Sequence, residues 1–165
     1  MALDPFMPVL VVDDHGATRQ IVHSLLWLLG FVDIDDINSG AEALTKMRLK
    51  RYGLVISEWH LEPMTGDELL REMRSDPGLK LTPFIVIGES SPENVIAAKK
   101  AGASIYIVKP FDAQTLKAKI EAAFATRRAP LPDRQQALST TAPPQLSEIP
   151  DATAKRFSGR FTGSS

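Results

Sequence analysis

Cysteine is missing from all 165 residues of this chain. Its absence excludes disulfides, thiolate metal sites and a cysteine nucleophile, and it fits a reducing cytoplasm. An excess of either charge is missing too: 19 Lys and Arg stand against 20 Asp and Glu, a formal net charge of -1. A balance that close to zero argues against a general binder of nucleic acid or membrane surfaces. Long hydrophobic runs are also lacking. The longest strongly apolar stretch, "LLWLLGFV", falls far short of the ~20 residues a spanning helix needs. The opening "MALDPFMPVLVVDD" has no basic start and meets acids too early for a signal peptide. His15, His23 and His60 show no H-E-x-x-H spacing, and Ser57 has no G-x-S-x-G setting, so zincin and serine-hydrolase chemistry find no footing. Together these absences describe a soluble cytoplasmic protein, and an apolar share of 44% is enough for a real core.

Short β-branched runs alternate with longer helical segments. "PVLVV" (8–12) reads as a buried strand that stops at two acids. A wide apolar helical face follows over 17–29, with Ile21, Val22, Leu25, Leu26, Leu28 and Leu29, and Gly30 ends it. "VDIDDI" (32–37) is a weak second strand. "SGAE" (39–42) has the spacing of a capping box and opens a helix to about Lys50. "GLVIS" (53–57) is the third strand, "TGDE" (65–68) opens the next helix, and "DPG" (76–78) closes it. "PFIVIG" (83–88) is the fourth strand. Ser91 with Pro92 starts a helix that runs to Ala101–Gly102. "SIYIV" (104–108) is the fifth strand, and Asp112 caps a last helix with Leu116, Ile120 and Phe124 on one face. Five strands alternating with five helices imply an α/β fold with parallel strands and right-handed crossovers. Ligands of such sheets bind outside the carboxyl ends of the strands, at the switch in strand order.

At those ends stand Asp13, Asp14, Glu58, Ile87–Gly88 and Lys109. Three carboxylates converging on one crevice suit Mg²⁺, a hard cation that keeps several waters. Lys109 either pairs with an acid or binds a phosphoryl group. A structural acid–lysine network reads equally well from spacing alone. Trp27 and Trp59 read as packing or loop cover.

The spaced set "VVDDH", "LVISEWHLEPMTG" and "AGASIYIVKPF", with "RYGLVIS" and "ENVIAAKKAGAS", resembles the CheY-like receiver domain of bacterial two-component response regulators over about residues 8–126. The resemblance implies a flavodoxin-like doubly wound sheet of order 2-1-3-4-5. It implies an acceptor acid at position 58 that takes a phosphoryl group from a histidine kinase. Mg²⁺ would be held by Asp13, Asp14 and the backbone carbonyl of His60, and Lys109 would contact the phosphoryl group. A hydroxyl residue ending the fourth strand would bind that group, and Tyr106 on the fifth would turn inward in response.

Two positions break the pattern. The acceptor is Glu58, not aspartate, and the hydroxyl position holds Ile87. One extra methylene moves a carboxylate by roughly 1.5 Å, a costly displacement for in-line transfer. Ile87 cannot donate a hydrogen bond, and such a bond to a charged group is worth ~1.5–3 kcal/mol. Glu58 is therefore expected not to accept phosphate and to pair with Lys109 as a fixed anion. Lys99, Lys100, Tyr106 and Lys117 are expected to line a partner-binding face of helix four, strand five and helix five, the face through which CheY-like proteins meet the flagellar motor switch.

Domain boundaries follow from texture: an N-terminal segment (1–7), the receiver (8–128) and a tail (129–165) with five of the twelve prolines. Few large apolar residues remain in the tail to offset its ordering entropy, so it reads as disordered. Its end, "DATAKRFSGRF", sets Arg156 and Arg160 beside Phe157 and Phe161. Arginine forks chelate phosphate and the O6/N7 edge of guanine, phenylalanines stack on bases, and Asp151 accepts from a guanine N1/N2 edge. Arg127, Arg128 and Arg134 could close around the same anion. Cyclic di-GMP satisfies these features, and the tail resembles the arginine-rich extension of a CheY-like subgroup that binds it. A monomer with no enzymatic activity, no DNA partner and no membrane insertion is expected. A working phosphoreceiver and a purely structural interaction domain are the alternatives.

Overall fold

The computed structural model describes residues 3–128, with side chains through residue 125. Five strands and five helices alternate along the chain: β1 (Val9–Val12), α1 (Gly16–Leu28), β2 (Ile34–Ile37), α2 (Gly40–Leu49), β3 (Leu54–Glu58), α3 (Gly66–Ser75), β4 (Phe84–Gly88), α4 (Pro92–Ala101), β5 (Ile105–Val108) and α5 (Ala113–Arg128). The strands form one parallel sheet in the order β2-β1-β3-β4-β5, as the alternation of elements requires. β1 lies between β2 and β3, so the chain reverses its direction of travel across the sheet there. The crevice opened by that reversal sits at the carboxyl ends of β1 and β3.

The sheet has helices on both faces, and the strand residues sort themselves accordingly. Leu10, Val12, Val55, Phe84 and Val86 pack with α2, α3 and α4 residues such as Leu44, Leu70 and Ala98. Val9, Val11, Leu54, Ile56, Ile85, Ile87 and Ile107 pack with Val22 and Leu26 of α1 and with Leu116 and Ile120 of α5. Period-two alternation thus feeds two cores, which is why the strands read as unbroken apolar runs. Pro8 and Pro83 sit just outside the strands and contribute only carbonyls, to Gly53 N–H at 2.9 Å and Val55 N–H at 3.0 Å. A proline there costs the ladder nothing.

Helix starts follow their caps. Thr65 and Glu68 form a reciprocal capping box. Ser39 accepts from Glu42 N–H at 3.1 Å, the forward half of that motif. Ser91 accepts from Asn94 N–H with Pro92 in the first turn, and Asp112 accepts from Thr115 N–H at 2.8 Å.

Two expectations need correction. β2 starts at Ile34, not 32, because the Val32 amide is taken by the Pro5 carbonyl and lies outside the ladder. The apolar face of α1 is wider than the surface that buries it. Val22 and Leu26 are fully covered, whereas Ile21, Trp27 and Leu28 are exposed, Leu28 at 73%. A helix on one face of a sheet hides an arc of about 100°, and these residues fall outside it.

Candidate functional site

The crevice is built from four strand ends. Asp13 follows the last residue of β1 and is buried. Glu58 is the last residue of β3 and pairs in register with Ile87 on β4. Lys109 follows β5 and is anchored by its amide to the Gly88 carbonyl at 2.9 Å. Parallel register therefore brings residues 13, 58, 87 and 109 to one rim, although they span almost the whole domain in sequence.

The central contact is an ion pair. Lys109 Nζ lies 2.7 Å from Glu58 Oε1, and Glu58 Oε2 accepts from the His60 N–H at 3.1 Å. Glu58 is 4% exposed and the Lys109 side chain 32%. Burial alone would lower the Lys109 pKa. The hydrogen bond from Lys109 to Glu58 and the fields of Glu58, Glu89 and Asp13 outweigh it and hold the ammonium above its ordinary value. The Glu58–Lys109 contact that the sequence reading allowed for is present.

Asp13 is pinned at both ends. Its Oδ1 accepts from the His15 N–H at 2.8 Å, and its carbonyl accepts from Arg19 Nη1 at 2.7 Å. Burial pushes its carboxyl up. The His15 amide opposes that shift, and the charges of Glu58 and Asp14 reinforce it. Among the described residues Asp14 Oδ1 is buried with no hydrogen-bond partner; the His15 ring nitrogen stands 3.1 Å away, an ion pair only when the imidazole is protonated. A buried carboxylate oxygen without a hydrogen-bond partner, beside a second acid whose charge is disfavoured, is a chemistry that a divalent cation would satisfy. The donor set fits Mg²⁺. Asp13 and Asp14 would hold it, and receiver domains use this acidic pair for that purpose. His15 completes a three-residue cluster whose ligand atoms lie within 4.8 Å of one another. Sequence reasoning passed over it, although its place directly after two acids was a usable signal.

Between β3 and α3 the chain folds back tightly. A Cβ on Gly66 would lie 2.8 Å from the carbonyl oxygens of both Glu58 and Trp59. The Gly66 amide donates to the Trp59 carbonyl at 3.0 Å. Only a residue without a side chain allows that approach, so Gly66 fixes the loop that carries His60. Trp59 is buried as loop cover, as expected, whereas Trp27 at 60% exposure covers nothing comparable.

The expected partner face is only partly as read. Lys99, Lys100 and Lys117 are exposed. Tyr106 is not on the surface: its ring joins the core cluster with Trp59 and Ala98, and its hydroxyl donates to the Glu89 carbonyl at 2.8 Å. Turned inward, the ring satisfies its one polar group and hides its apolar body, and burial raises its pKa. Of the tail residues, Arg127 and Arg128 belong to the backbone of α5. Their side chains, and Arg134, Asp151, Arg156, Phe157, Arg160 and Phe161, lie outside the described residues. Among the described residues no helix is long and apolar enough to cross a membrane.

Comparison with known proteins converges on one family. Residues 9–121 match the model of the response regulator receiver domain. The chain is 38% identical over 119 residues to the chemotaxis protein CheY of Pseudomonas aeruginosa, covering 72% of this chain and 96% of that one. It is 38% identical over 123 residues to CheY-3 of Vibrio cholerae, covering 74% and 95%. The solved structure of the chemotaxis response regulator CheY4 of Vibrio cholerae superimposes with a TM-score of 0.67 at 33% identity, over 72% of this chain and 98% of that one.

Proposed function

This chain belongs to the response regulator receiver domain family, and we propose that it is a chemotaxis-type signalling adaptor whose pocket does not run on phosphorylation. It is a binding module and not an enzyme. The observation that carries the reading is the 2.7 Å contact between Lys109 and Glu58. The cation that would meet an incoming phosphoryl group is already neutralised, by an acid one methylene longer than the usual acceptor. Ile87 is turned into the core against α1 and α5 and offers no hydroxyl. The pocket has an anion in place of a phosphoryl group, and position 87 offers no hydroxyl to report its arrival. Mg²⁺ held at Asp13 and Asp14 would neutralise charge at the rim. Glu58, tied to Lys109 and the His60 amide, is not free to act as a nucleophile.

Output passes through the face of α4, β5 and α5 to a protein partner. The exposed Lys99, Lys100 and Lys117 suit an acidic segment, and the flagellar motor switch is the partner that the resemblance to CheY-like proteins implies. Input comes through the C-terminal residues. The spacing of Arg156 and Arg160, with Phe157 and Phe161 beside them, supports a guanine-bearing anion, cyclic di-GMP.

Incubation with acetyl phosphate and Mg²⁺ followed by intact mass tests the first half. No adduct is expected, and a gain of about 80 Da mapped to residue 58 would overturn the reading. Isothermal titration with cyclic di-GMP tests the second. Heat from the wild type that disappears in the Arg156→Ala/Arg160→Ala variant is expected. Equal heat from both, or none from either, removes that input.

A further inference from the structure

Tyr106 is held inward, with its hydroxyl on the Glu89 carbonyl, and its surroundings show what makes room for it. Gly88 ends β4 and pairs in register with Val108 on β5, two residues beyond Tyr106. A Cβ built on Gly88 would overlap the Tyr106 hydroxyl oxygen outright. It would also come within 3.0 Å of the ring Cζ and 3.5 Å of the Trp59 Cβ. Gly88 is not in a left-handed conformation, so its backbone tolerates any residue. What demands a glycine there is space, and the space is filled by the phenol.

We infer that Gly88 is the positioning residue for Tyr106: the volume left by its missing side chain is the seat of the tyrosine hydroxyl, and it keeps the ring off the α4-β5-α5 face. Two groups close the seat. The Glu89 carbonyl accepts from the hydroxyl at 2.8 Å. Trp59 lies alongside in the same core cluster. Any side chain at position 88 competes with the hydroxyl for one volume. An alanine must either expel the ring towards solvent or push β4 away from β5. Expulsion is the easier course, because rotating one side chain leaves the sheet ladder intact. The set point of the output face is thus written into the backbone of β4. The inference depends on the proposed function only for the meaning of that face. The seat itself is a packing statement, and its test uses neither a phosphoryl donor nor a partner.

The experiment labels the full chain with 3-fluorotyrosine. Only Tyr52 and Tyr106 carry the label, and a Tyr52→Phe variant assigns the two resonances. In the wild type the Tyr106 signal is expected to show little change between H₂O and D₂O. In Gly88→Ala it is expected to move and to acquire the solvent isotope shift of an exposed ring. A Tyr106 signal in Gly88→Ala that keeps its wild-type position and its insensitivity to solvent overturns the inference. If Gly88→Ala does not fold, the Gly88→Ala/Tyr106→Phe variant decides. Phenylalanine removes the overlapping oxygen, so the double variant should fold and regain the urea midpoint of Tyr106→Phe. Failure of the double variant to fold would place the conflict elsewhere and equally overturn the assignment.

Discussion

Replacing Lys109 by methionine keeps most of the side-chain volume and removes the charge that faces Glu58. The carboxylate would then be left buried with a single donor, the His60 amide at 3.1 Å, and with the Asp13 carboxylate nearby. Breaking a fully buried ion pair costs about 3–5 kcal/mol, whereas an exposed pair is worth about 0–1 kcal/mol. Glu58 is at the buried limit, but Lys109 is 32% exposed, so water screens its half. We expect about 2 kcal/mol for Lys109→Met. Glu58→Gln should cost less, because it leaves the more exposed partner unpaired. The double variant should be less damaging than the sum of the two, with a coupling of about 1.5 kcal/mol. At an m-value of about 1.5 kcal/mol/M for a domain of this size, Lys109→Met lowers the urea midpoint by roughly 1.3 M. The assay is urea unfolding followed by tryptophan fluorescence, with buried Trp59 beside the pair as reporter. The Lys109 pKa is raised in the folded state, so its contribution is complete below the unfolded value near 10.4 and fades only as pH rises through the folded value. A coupling below about 0.5 kcal/mol at pH 7 would refute the picture of a fixed anion–cation latch.

Four further outcomes are expected. Glu58→Asp with Ile87→Thr should restore acceptor chemistry, seen as a gain of about 80 Da with acetyl phosphate and Mg²⁺, at a stability cost of about 1–2 kcal/mol for the hydroxyl in an apolar wall. Titrating Mg²⁺ against Trp59 fluorescence should give a saturable change in the wild type, weakened at least about tenfold in Asp13→Asn or Asp14→Asn. Gly66→Ala should cost about 2–3 kcal/mol, read as a lower urea midpoint, because its Cβ would meet two carbonyl oxygens at 2.8 Å. The hydrogen bond from Tyr52, aided by Lys50, holds the Asp35 carboxyl below its usual range. The stability it brings is present above the unfolded value of about 3.9 and is lost as pH falls through the folded value. In Tyr52→Phe the acid decline of the urea midpoint should therefore begin at higher pH.

Local chemistry explains why so much of the architecture could be read in advance. The Thr65–Glu68 box, the Ser91–Pro92 start and the Asp112 cap act within three residues, and each opens a helix where the sequence placed it. Strand ends were equally plain, because Asp13, Glu58 and Lys109 interrupt apolar runs. Parallel pairing then had to bring them to one rim. What could not be read depends on neighbours distant in the chain. Tyr106 is an ordinary strand residue until Gly88 of the adjacent strand opens a space for its hydroxyl. The exposed half of α1 looks like core in a helical projection, because the projection does not say how wide an arc the sheet will cover. The start of β2 was lost to a single long-range hydrogen bond, from Val32 to Pro5. His15, weighed only for spacing to other histidines, takes its value from the carboxylates beside it.

β2 has a further consequence for life in a crowded solution. Among the described residues it is the outermost strand on its side, and no strand pairs with its outer row of backbone donors and acceptors. Bare margins of that kind invite a stranger's strand to zip on, the first step towards fibrils. Here the margin carries Asp35 and Asp36, with Lys50 bound to Asp35 at 2.9 Å and His23 to Asp36 at 3.0 Å. A second molecule approaching in either direction would have to strip water from this fringe of ions before forming a single bond, so the same weak strand that reads poorly as sequence works against edge-to-edge pairing.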